Sequence, residues 1–200
     1  CPVFPPRAAL VTSQDRALEK QQFERLGIPV APYRLVDSLA DLEAAVRDIG
    51  LPGILKTRRF GYDGKGQVRI RARGEAESAW NAIGPAPLIY EGYVDFLREL
   101  SVIAVRSEDG TTLCYPVAEN HHREGILQTS IAPADRLPDA KRHQAEGYAR
   151  ALLTGFGYVG AFAIEMFDTA TGLGANEMAP RVHNSGHWTI EGAATSQFEN

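Results

Sequence analysis

The sequence is poor in cysteine, with only Cys1 and Cys114 in 200 residues. Two distant cysteines offer neither a disulfide framework nor the spacing of a zinc site, which favours a reducing, cytosolic setting. Long apolar runs are also missing, so we expect no membrane-spanning segment and no membrane partner. Excess positive charge is missing as well, because the formal net charge is -4. A nucleic-acid-binding domain would carry a basic surface, so we expect no nucleic-acid partner.

The rest of the composition is that of an ordinary globular protein, with 44% hydrophobic and 23% charged residues. A chain of this length suits one domain or two small ones with a real core. It begins with Cys1 rather than Met and ends at residues 197–200 inside a helix-like pattern. We therefore expect it to be a piece of a longer protein.

Apolar periodicity and turn residues divide the chain into short strands and a few helices. We expect residues 1–12 to be extended, Ser13 to cap the first helix and Gly27 to end it. Further helices are predicted over residues 38–50, 75–83 and 139–153, and strands over residues 30–36, 53–57, 68–72, 88–91, 100–106, 111–117, 159–167 and 173–178. Strands joined by hairpins outnumber helical crossovers, which indicates an α+β fold with antiparallel sheets.

A glycine-rich segment lies between two predicted strands and reads Gly61, Tyr62, Asp63, Gly64, Lys65, Gly66, Gln67. No helix follows it, so it does not match a Rossmann or Walker site, where a helix N-terminus receives the phosphates. It is either a hairpin whose backbone N–H groups approach phosphates, with Lys65 adding charge, or an exposed flexible turn. Lys56 closes the preceding apolar strand, where it either reaches a phosphate as a point charge or is solvated.

Two glutamates, Glu165 and Glu177, fall at or near opposed positions if residues 159–178 fold as a hairpin. Like charges directly across a ladder are destabilising, and a divalent cation between them removes the conflict. Oxygen ligands suit Mg²⁺, which usually takes one or two carboxylates together with substrate phosphates. The alternative is a pair of glutamates on a solvated sheet face.

A dense polar run follows the second glutamate and contains Arg181, His183 and Asn184. Arginine suits bidentate capture of a carboxylate or phosphate, and His183 suits either acid–base chemistry or donation to an anion. The other interpretation is a polar loop with a helix cap. His121 and His122 are expected just after a strand, without ligand spacing for zinc. For them a nucleotide contact, a loop contact and simple exposure all remain open.

At these residues the chain resembles the ATP-grasp superfamily and, within it, the family of N5-carboxyaminoimidazole ribonucleotide synthetases of purine biosynthesis. The resemblance rests chiefly on two runs specific to that family, RVHNSGHW at residues 181–188 and GYDGKGQ at residues 61–67. Shorter matches lie at residues 14–16, 115–116 and 125–127, and the resemblance covers nearly the whole chain.

The resemblance implies an ATP-grasp fold, in which the antiparallel sheets of two α+β subdomains hold ATP between them. Residues 1–29 would be a remnant or linker of a missing N-terminal α/β domain. Residues 30–94 would form the small subdomain with the glycine loop. Residues 95–200 would form the large subdomain with the metal and bicarbonate site, its C-terminal part missing.

The activity implied is ATP-dependent carboxylation of 5-aminoimidazole ribonucleotide. Bicarbonate is phosphorylated to carboxyphosphate, and the products are N5-carboxyaminoimidazole ribonucleotide, ADP and phosphate. The cofactors would be ATP and Mg²⁺, the location cytoplasmic and the assembly a homodimer. Another ATP-grasp ligase, such as a formate-using purine transformylase, and a non-catalytic nucleotide-binding module remain as alternatives.

The resemblance also implies roles for single residues. ATP would be contacted by Arg16, Lys56, the loop Gly61–Gln67, Glu91, Gly92, Tyr93, Val94, Glu99, His122, Asn176 and Glu177. Mg²⁺ would be held by Glu165 and Glu177. Bicarbonate and carboxyphosphate would be held by Arg181, His183 and Asn184, with Tyr62 assisting the aminoimidazole substrate. The chain departs from the family at Phe60, where glycine is expected, and at Ala179, where many ATP-grasp enzymes have asparagine.

Overall fold

The computed structural model describes residues 3–61, 65–84 and 86–200. The helices in this part are α1 (Arg7–Ser13), α2 (Arg16–Arg25), α3 (Leu39–Ile49), α4 (Ala76–Ile83), α5 (Asp139–Phe156) and α6 (Thr189–Gly192). The strands are β1 (Tyr33–Val36), β2 (Gly53–Thr57), β3 (Gln67–Ile70), β4 (Leu88–Gly92), β5 (Arg98–Arg106), β6 (Thr112–Cys114), β7 (Ala118–Arg123), β8 (Ile126–Ile131), β9 (Gly160–Thr169) and β10 (Gly172–Ala179). None of these helices is both long and apolar enough to cross a membrane.

Within the described residues the strands form two antiparallel sheets. The smaller sheet has the order β1-β4-β2-β3, and the larger has the order β10-β9-β5-β7-β8 with β6 paired to the end of β5. Each sheet has its own apolar core, with α3 and α4 packed in the smaller one and α5 in the larger one. The predicted α+β class with antiparallel sheets is confirmed. The division of the chain at residues 29 and 94 stays a prediction.

Helix α3 forms where its sequence predicts. Ser38 caps it, because the Ser38 Oγ accepts a hydrogen bond from the Asp41 N–H at 3.1 Å. Leu42 and Val46 recur at helical spacing and are buried in the smaller core. The helix ends at Gly50, whose φ of +94° is a conformation that glycine adopts without strain. These local signals hold the helix against one face of the smaller sheet.

The N-terminal segment differs from the prediction. Residues 1–12 are not extended throughout, because α1 begins directly after Pro6, and a proline is compatible with the start of a helix. Ser13 is the last residue of α1 and does not cap the next helix. The N-cap of α2 is Asp15, whose side chain accepts a hydrogen bond from the Ala17 N–H at 3.0 Å. The second helix therefore begins at Arg16, with Asp15 as its N-cap.

The hairpin of β7 and β8 is absent from the sequence prediction, because its strands are largely polar and show no apolar alternation. His121 and His122 therefore lie within a strand, not after one. The turn consists of Glu124 and Gly125, whose φ values of 55° and 79° suit a two-residue hairpin turn of type I′. The helix expected at residues 197–200 is also wrong, since these residues form a turn.

Candidate active site

A polar row crosses three strands of the larger sheet. Ser101 on β5 pairs in register with Glu165 on β9, and Glu165 pairs in register with Glu177 on β10. The predicted opposition of the two glutamates is therefore confirmed. The register shifts between Ala175 and Glu177, which leaves Asn176, half-buried, at the irregularity. The row places two carboxylates side by side on one sheet face.

The electrostatics of this pair match a cation site. The Glu165 side chain is only 12% exposed, and burial followed by the charge of Glu177 raises its pKa to about 7. Among the described residues, no group of three or more His, Cys, Asp or Glu side chains could hold a metal ion. Two carboxylates completed by substrate phosphates are a usual magnesium environment. The residues present therefore fit Mg²⁺.

His122 and Glu99 lie on neighbouring strands beside the glutamate pair. The His122 Nδ1 is 3.2 Å from the Glu99 Oε1. Contact with Glu99 raises the pKa of His122 against the opposing effect of burial, and Glu165 and Glu177 act in the same direction. His122 and Glu99, both predicted to contact the nucleotide, therefore lie together near Glu165 and Glu177.

Lys56 is buried, so the interpretation as a solvated strand end is wrong. Its Nζ lies 3.1 Å from the Glu91 Oε2, and the Lys20 Nζ lies 3.2 Å from the same oxygen. Burial lowers the pKa of Lys56 despite the carboxylate beside it. Burial opposes ionisation of Glu91 too, but Lys56 and Lys20 outweigh it and lower the Glu91 pKa to about 2. One glutamate oxygen is therefore shared by two buried lysines.

The segment after Glu91 offers few free backbone donors. The Gly92 N–H donates to the Pro32 carbonyl at 2.9 Å, and the Tyr93 N–H donates to the Pro52 carbonyl at 3.1 Å. The Tyr93 ring also lies under the Arg69 guanidinium, 4.1 Å from its centroid. By contrast, the Glu91 Oε1 is buried and has no hydrogen-bond partner among the described residues. An orphaned acceptor of this kind suits an amino group of a ligand.

Val94 lines a cavity of about 280 Å³ together with Phe167 and Leu173. Pro32, whose carbonyl accepts the Gly92 N–H, lines the same cavity. The structure therefore places Val94 against an apolar surface beside the larger sheet.

The tip of the glycine loop, Tyr62, Asp63 and Gly64, lies outside the described residues. Gly61 and Gly66 form its base. Gly66 has a φ of +71°, and a Cβ there would lie 2.7 Å from the Thr57 Oγ1, so only glycine fits. Lys65 and Gln67 are exposed. The loop therefore has a closed base on the smaller sheet.

Phe60, where the resemblance implies glycine, has a φ of +63° and is 95% exposed. The backbone conformation that glycine favours is thus kept although the side chain is large. This residue presents an aromatic ring to solvent at the start of the loop.

A cavity of about 400 Å³ lies between the start of α2, the base of the glycine loop and residues 177–181. Its described lining includes the arginines Arg16, Arg58, Arg59 and Arg181. From the sequence, Arg16 and Arg181 have individual roles, whereas Arg58 and Arg59 belong only to a local basic cluster that suits a small anionic ligand. Guanidinium groups converging on one cavity suit an anionic ligand such as a phosphate or carboxylate.

Asp15 holds two of these arginines. Arg58 donates to both Asp15 oxygens, at 3.0 and 2.7 Å, and the Arg59 Nε donates to Oδ2 at 3.2 Å. Burial opposes ionisation of Asp15, but the bonds from Arg58 and Ala17 outweigh it and lower its pKa. The carboxylate is therefore both the helix cap of α2 and the anchor of the chain entering the glycine loop.

One face of α2 contacts both sheets. On the smaller sheet, Asp15 holds Arg58 and Lys20 pairs with Glu91. On the larger sheet, Arg16 Nη1 lies 3.4 Å from Glu177 Oε2, and Glu19 accepts the Met178 N–H at 2.6 Å. Burial, followed by the charge of Glu177, raises the pKa of Glu19 to about 8. The sequence analysis did not predict this charged face. Its residues stand at positions i, i+1, i+4 and i+5, a spacing that places them on one side of a helix.

His183 joins the carboxylate pair to the polar run after β10. Its ring is buried, and its Nε2 lies 3.6 Å from the Glu165 Oε1. Burial, followed by the charge of Arg181, lowers the pKa of His183 to about 4. Arg181 is exposed and donates to the Val182 carbonyl, and Asn184 is exposed and accepts the Ser185 N–H. A neutral imidazole and an accessible guanidinium therefore stand next to the candidate metal site.

Sequence analysis missed the residues that hold His183. Ser101 donates to Ser185, and Ser185 contacts the His183 ring. Gln197 is buried and bonds both backbone groups of His183, accepting its N–H at 2.9 Å and donating to its carbonyl at 2.7 Å. No local pattern reveals these contacts, because the partners come from distant parts of the chain.

Comparison with known proteins agrees with this arrangement. The model of the ATP-grasp domain family matches residues 21–198. The N5-carboxyaminoimidazole ribonucleotide synthase of Pseudomonas aeruginosa is 49% identical over 199 residues, which cover 100% of this chain and 54% of that protein. The chain spans about half the length of the curated relatives it matches.

Solved structures show the same similarity. The N5-carboxyaminoimidazole ribonucleotide synthetase of Thermus thermophilus has a TM-score of 0.94 at 49% identity, covering 100% of this chain and 54% of that one. The N5-carboxyaminoimidazole synthase of Aspergillus clavatus, in complex with ADP and 5-aminoimidazole ribonucleotide, has a TM-score of 0.89 at 33% identity. The aligned region covers 97% of this chain and 51% of the Aspergillus clavatus chain.

Proposed function

The chain belongs to the ATP-grasp family, and from this premise we propose that it carries the nucleotide, metal and bicarbonate sites of a carboxylating ligase. The reaction is ATP-dependent carboxylation of 5-aminoimidazole ribonucleotide. A bicarbonate oxygen attacks the γ-phosphorus of ATP, and ADP leaves. The exocyclic amine then forms a bond to the carboxyl carbon of carboxyphosphate as phosphate leaves. The relatives named N5-carboxyaminoimidazole ribonucleotide synthase support this choice within the family.

The observation that carries the proposal is the in-register pair of Glu165 and Glu177 with His183 beside it. Mg²⁺ held by the two glutamates would neutralise charge on the phosphates during transfer. His183 and Arg181 would hold the bicarbonate next to that position. A site that joins metal-bound phosphates to an anion pocket is what formation of carboxyphosphate needs, because its two reactants are both anions.

The nucleotide would lie between the two sheets. Lys56, beside Glu91, and Arg16, beside Glu177, supply positive charge. The Glu91 Oε1 has no hydrogen-bond partner among the described residues and is suited to accept a hydrogen bond from the adenine amino group. The arginine-lined cavity at the base of the glycine loop is suited to the phosphates or to the anionic second substrate. The complex of the Aspergillus clavatus relative with ADP and 5-aminoimidazole ribonucleotide supports this pair of ligands.

Three further features belong to the proposal. Bicarbonate is the carboxyl donor, the assembly is a homodimer and the protein works in the cytoplasm. All three rest on the family resemblance of residues 61–67 and 181–188.

The test is ADP release by the intact gene product with Mg·ATP and bicarbonate, with and without 5-aminoimidazole ribonucleotide. We expect release to rise sharply when the ribonucleotide is added, because the amine consumes carboxyphosphate. Release that ignores the ribonucleotide would contradict the proposal and direct attention to other amine or carboxylate substrates.

A further inference from the structure

His183 is held from behind by a directional chain of hydroxyl groups. The Ser101 Oγ donates to the Ser185 Oγ at 2.8 Å, and the Ser185 Oγ lies 2.9 Å from the His183 Nδ1. All three side chains are buried. Because Ser101 supplies the hydrogen between the two serines, the Ser185 hydroxyl hydrogen is free to point at the imidazole.

A backbone group fixes which way the hydrogen bond at Nδ1 runs. The Ser185 N–H is shared between two acceptors, the His183 Nδ1 at 3.3 Å and the Asn184 Oδ1 at 3.1 Å. An amide N–H can only donate, so Nδ1 must be an acceptor and carries no hydrogen. In a neutral imidazole the hydrogen then lies on Nε2, the nitrogen that is 3.6 Å from the Glu165 Oε1.

We propose that Ser101 and Ser185 are positioning residues that hold His183 in the tautomer with hydrogen on Nε2, so that it acts as a hydrogen-bond donor to the anionic substrate and not as a general base. The role toward the anion rests on the proposed function. The tautomer rests on the contacts of the three side chains and on the backbone N–H of Ser185. A nitrogen that carries hydrogen cannot remove a proton, and the other nitrogen is covered by Ser185.

Gln197 supports the same orientation through the backbone. Its side-chain amide bonds the N–H and the carbonyl of His183, and its own N–H donates to the Thr189 Oγ1 at 3.0 Å. A Cβ added at Gly186 would lie 2.7 Å from the Gln197 Oε1, so only glycine fits where the turn packs on the Gln197 amide. The ring therefore has a fixed backbone and a fixed partner at Nδ1.

The tautomer can be measured without turnover. In the intact gene product labelled with ¹⁵N-histidine, the His183 ring nitrogens are assigned by their loss in His183→Gln. We expect the correlation pattern of the Nε2–H tautomer at a pH where the ring is neutral. A wild-type protein that shows the Nδ1–H tautomer would overturn the inference, whether or not the protein is a ligase.

Two variants test the serines. Ser185→Ala removes the hydroxyl next to the ring, and Ser101→Ala removes only the hydroxyl behind it. Because the backbone N–H of residue 185 still donates to Nδ1 in both variants, we expect a partial rise in the Nδ1–H population. We expect kcat to fall by about 10- to 100-fold, with Ser185→Ala the stronger and KM for ATP unchanged. The control is Ser78→Ala on α4, which loses a hydroxyl hydrogen bond to the carbonyl of Glu75. Its tautomer population and kcat should equal those of the wild type.

The outcomes separate the possible failures. If Ser185→Ala changes neither the tautomer nor kcat, the serines only fill space and the inference fails. If the tautomer shifts and the wild-type protein shows no ribonucleotide-dependent ADP release, the proposed function fails while the positioning of His183 stands. A fall in kcat with an unchanged tautomer would also contradict the inference, because the serines would then act by another route.

Discussion

Glu177 lies directly across the β9–β10 ladder from Glu165, with the Glu165 side chain only 12% exposed. Like charges in such positions destabilise a sheet, by roughly 0.2–1 kcal/mol for an exposed pair. The arrangement therefore has a cost in the metal-free protein and a use when a cation is bound. It follows that stability and activity should respond in opposite directions when one charge is removed.

Glu165→Gln tests this opposition. At pH 8, above the Glu165 pKa of about 7, we expect the free energy of unfolding of the metal-free protein to stay equal or rise by up to about 1 kcal/mol. Magnesium-dependent ADP release should fall by at least about 100-fold, because a metal ligand is lost. Chemical denaturation and steady-state kinetics provide the two readouts. Glu108→Gln, on an exposed turn, is the control, and an active Glu165→Gln would refute the metal assignment.

Glu91→Gln should be strongly destabilising, because it leaves Lys20 and Lys56 buried without their shared counter-charge. Loss of one partner from a buried ion pair costs roughly 3–5 kcal/mol. Urea denaturation measures the change. Glu43→Gln on the exposed face of α3 should stay within about 0.5 kcal/mol of the wild type. A Glu91→Gln protein as stable as this control would mean that the lysines are not both charged.

The lowered pKa of Glu91 predicts that the free energy of unfolding falls at acid pH. The Glu91 pKa is lowered from 4.5 to about 2 in the folded protein, so the ionised folded form is favoured above pH 4.5. This stabilisation is lost as the pH falls from about 4.5 through about 2. The stability difference between wild type and Glu91→Gln should therefore shrink across that window. A difference that stays constant from pH 6 to pH 2 would contradict the lowered pKa.

Asp15 combines a helix cap with an arginine anchor, and two substitutions separate them. Asn is as good an N-cap as Asp, so Asp15→Asn should keep the cap and lose only the charge that holds Arg58 and Arg59. Asp15→Ala should lose the cap as well, which lowers the free energy of unfolding by about a further 1 kcal/mol. Both should raise KM for ATP, because the chain entering the glycine loop is released. If Asn left KM for ATP unchanged, the arginines would not depend on Asp15 for their position.

Arg181→Ala should separate the two anion-binding regions. Arg181 is exposed and bonds only the neighbouring Val182 carbonyl among the contacts described, so folding should be unaffected. We expect KM for bicarbonate to rise by about 10-fold or more and ATP affinity to change little, since Arg181 is proposed to hold bicarbonate and not the nucleotide. Calorimetric ATP binding and bicarbonate-dependent kinetics test this. Weaker ATP binding with unchanged KM for bicarbonate would reverse the assignment.

The ATP-grasp fold was predictable from sequence because its signals are mostly local. The hairpin of Glu165 and Glu177 has a readable turn and two apolar strands, which predict that the strands pair. The turn register alone would place Asn176 opposite Glu165, and the irregularity between Ala175 and Glu177 brings Glu177 to that position. The helix starting at Ser38 has a cap and a periodic apolar face. The resemblance in residues 61–67 and 181–188 then identified the family.

What sequence analysis missed depends on distant partners. The Ser101–Ser185 bond joins residues 84 positions apart, and the Arg16–Glu177 pair joins residues 161 positions apart. No periodicity encodes such pairs, because each side chain reads alone as an ordinary polar residue. The β7–β8 hairpin was missed for a related reason, since its strands are stabilised by pairing within the sheet and not by an apolar pattern of their own.

We propose that bicarbonate is activated by ATP next to Glu165, Glu177 and His183. The most direct test follows the oxygen atoms. The intact gene product is supplied with Mg·ATP, 5-aminoimidazole ribonucleotide and ¹⁸O-labelled bicarbonate, and the inorganic phosphate is analysed by mass. Formation of carboxyphosphate predicts that one ¹⁸O atom moves from bicarbonate to each phosphate released. Phosphate without label, formed together with N5-carboxyaminoimidazole ribonucleotide, would contradict the account.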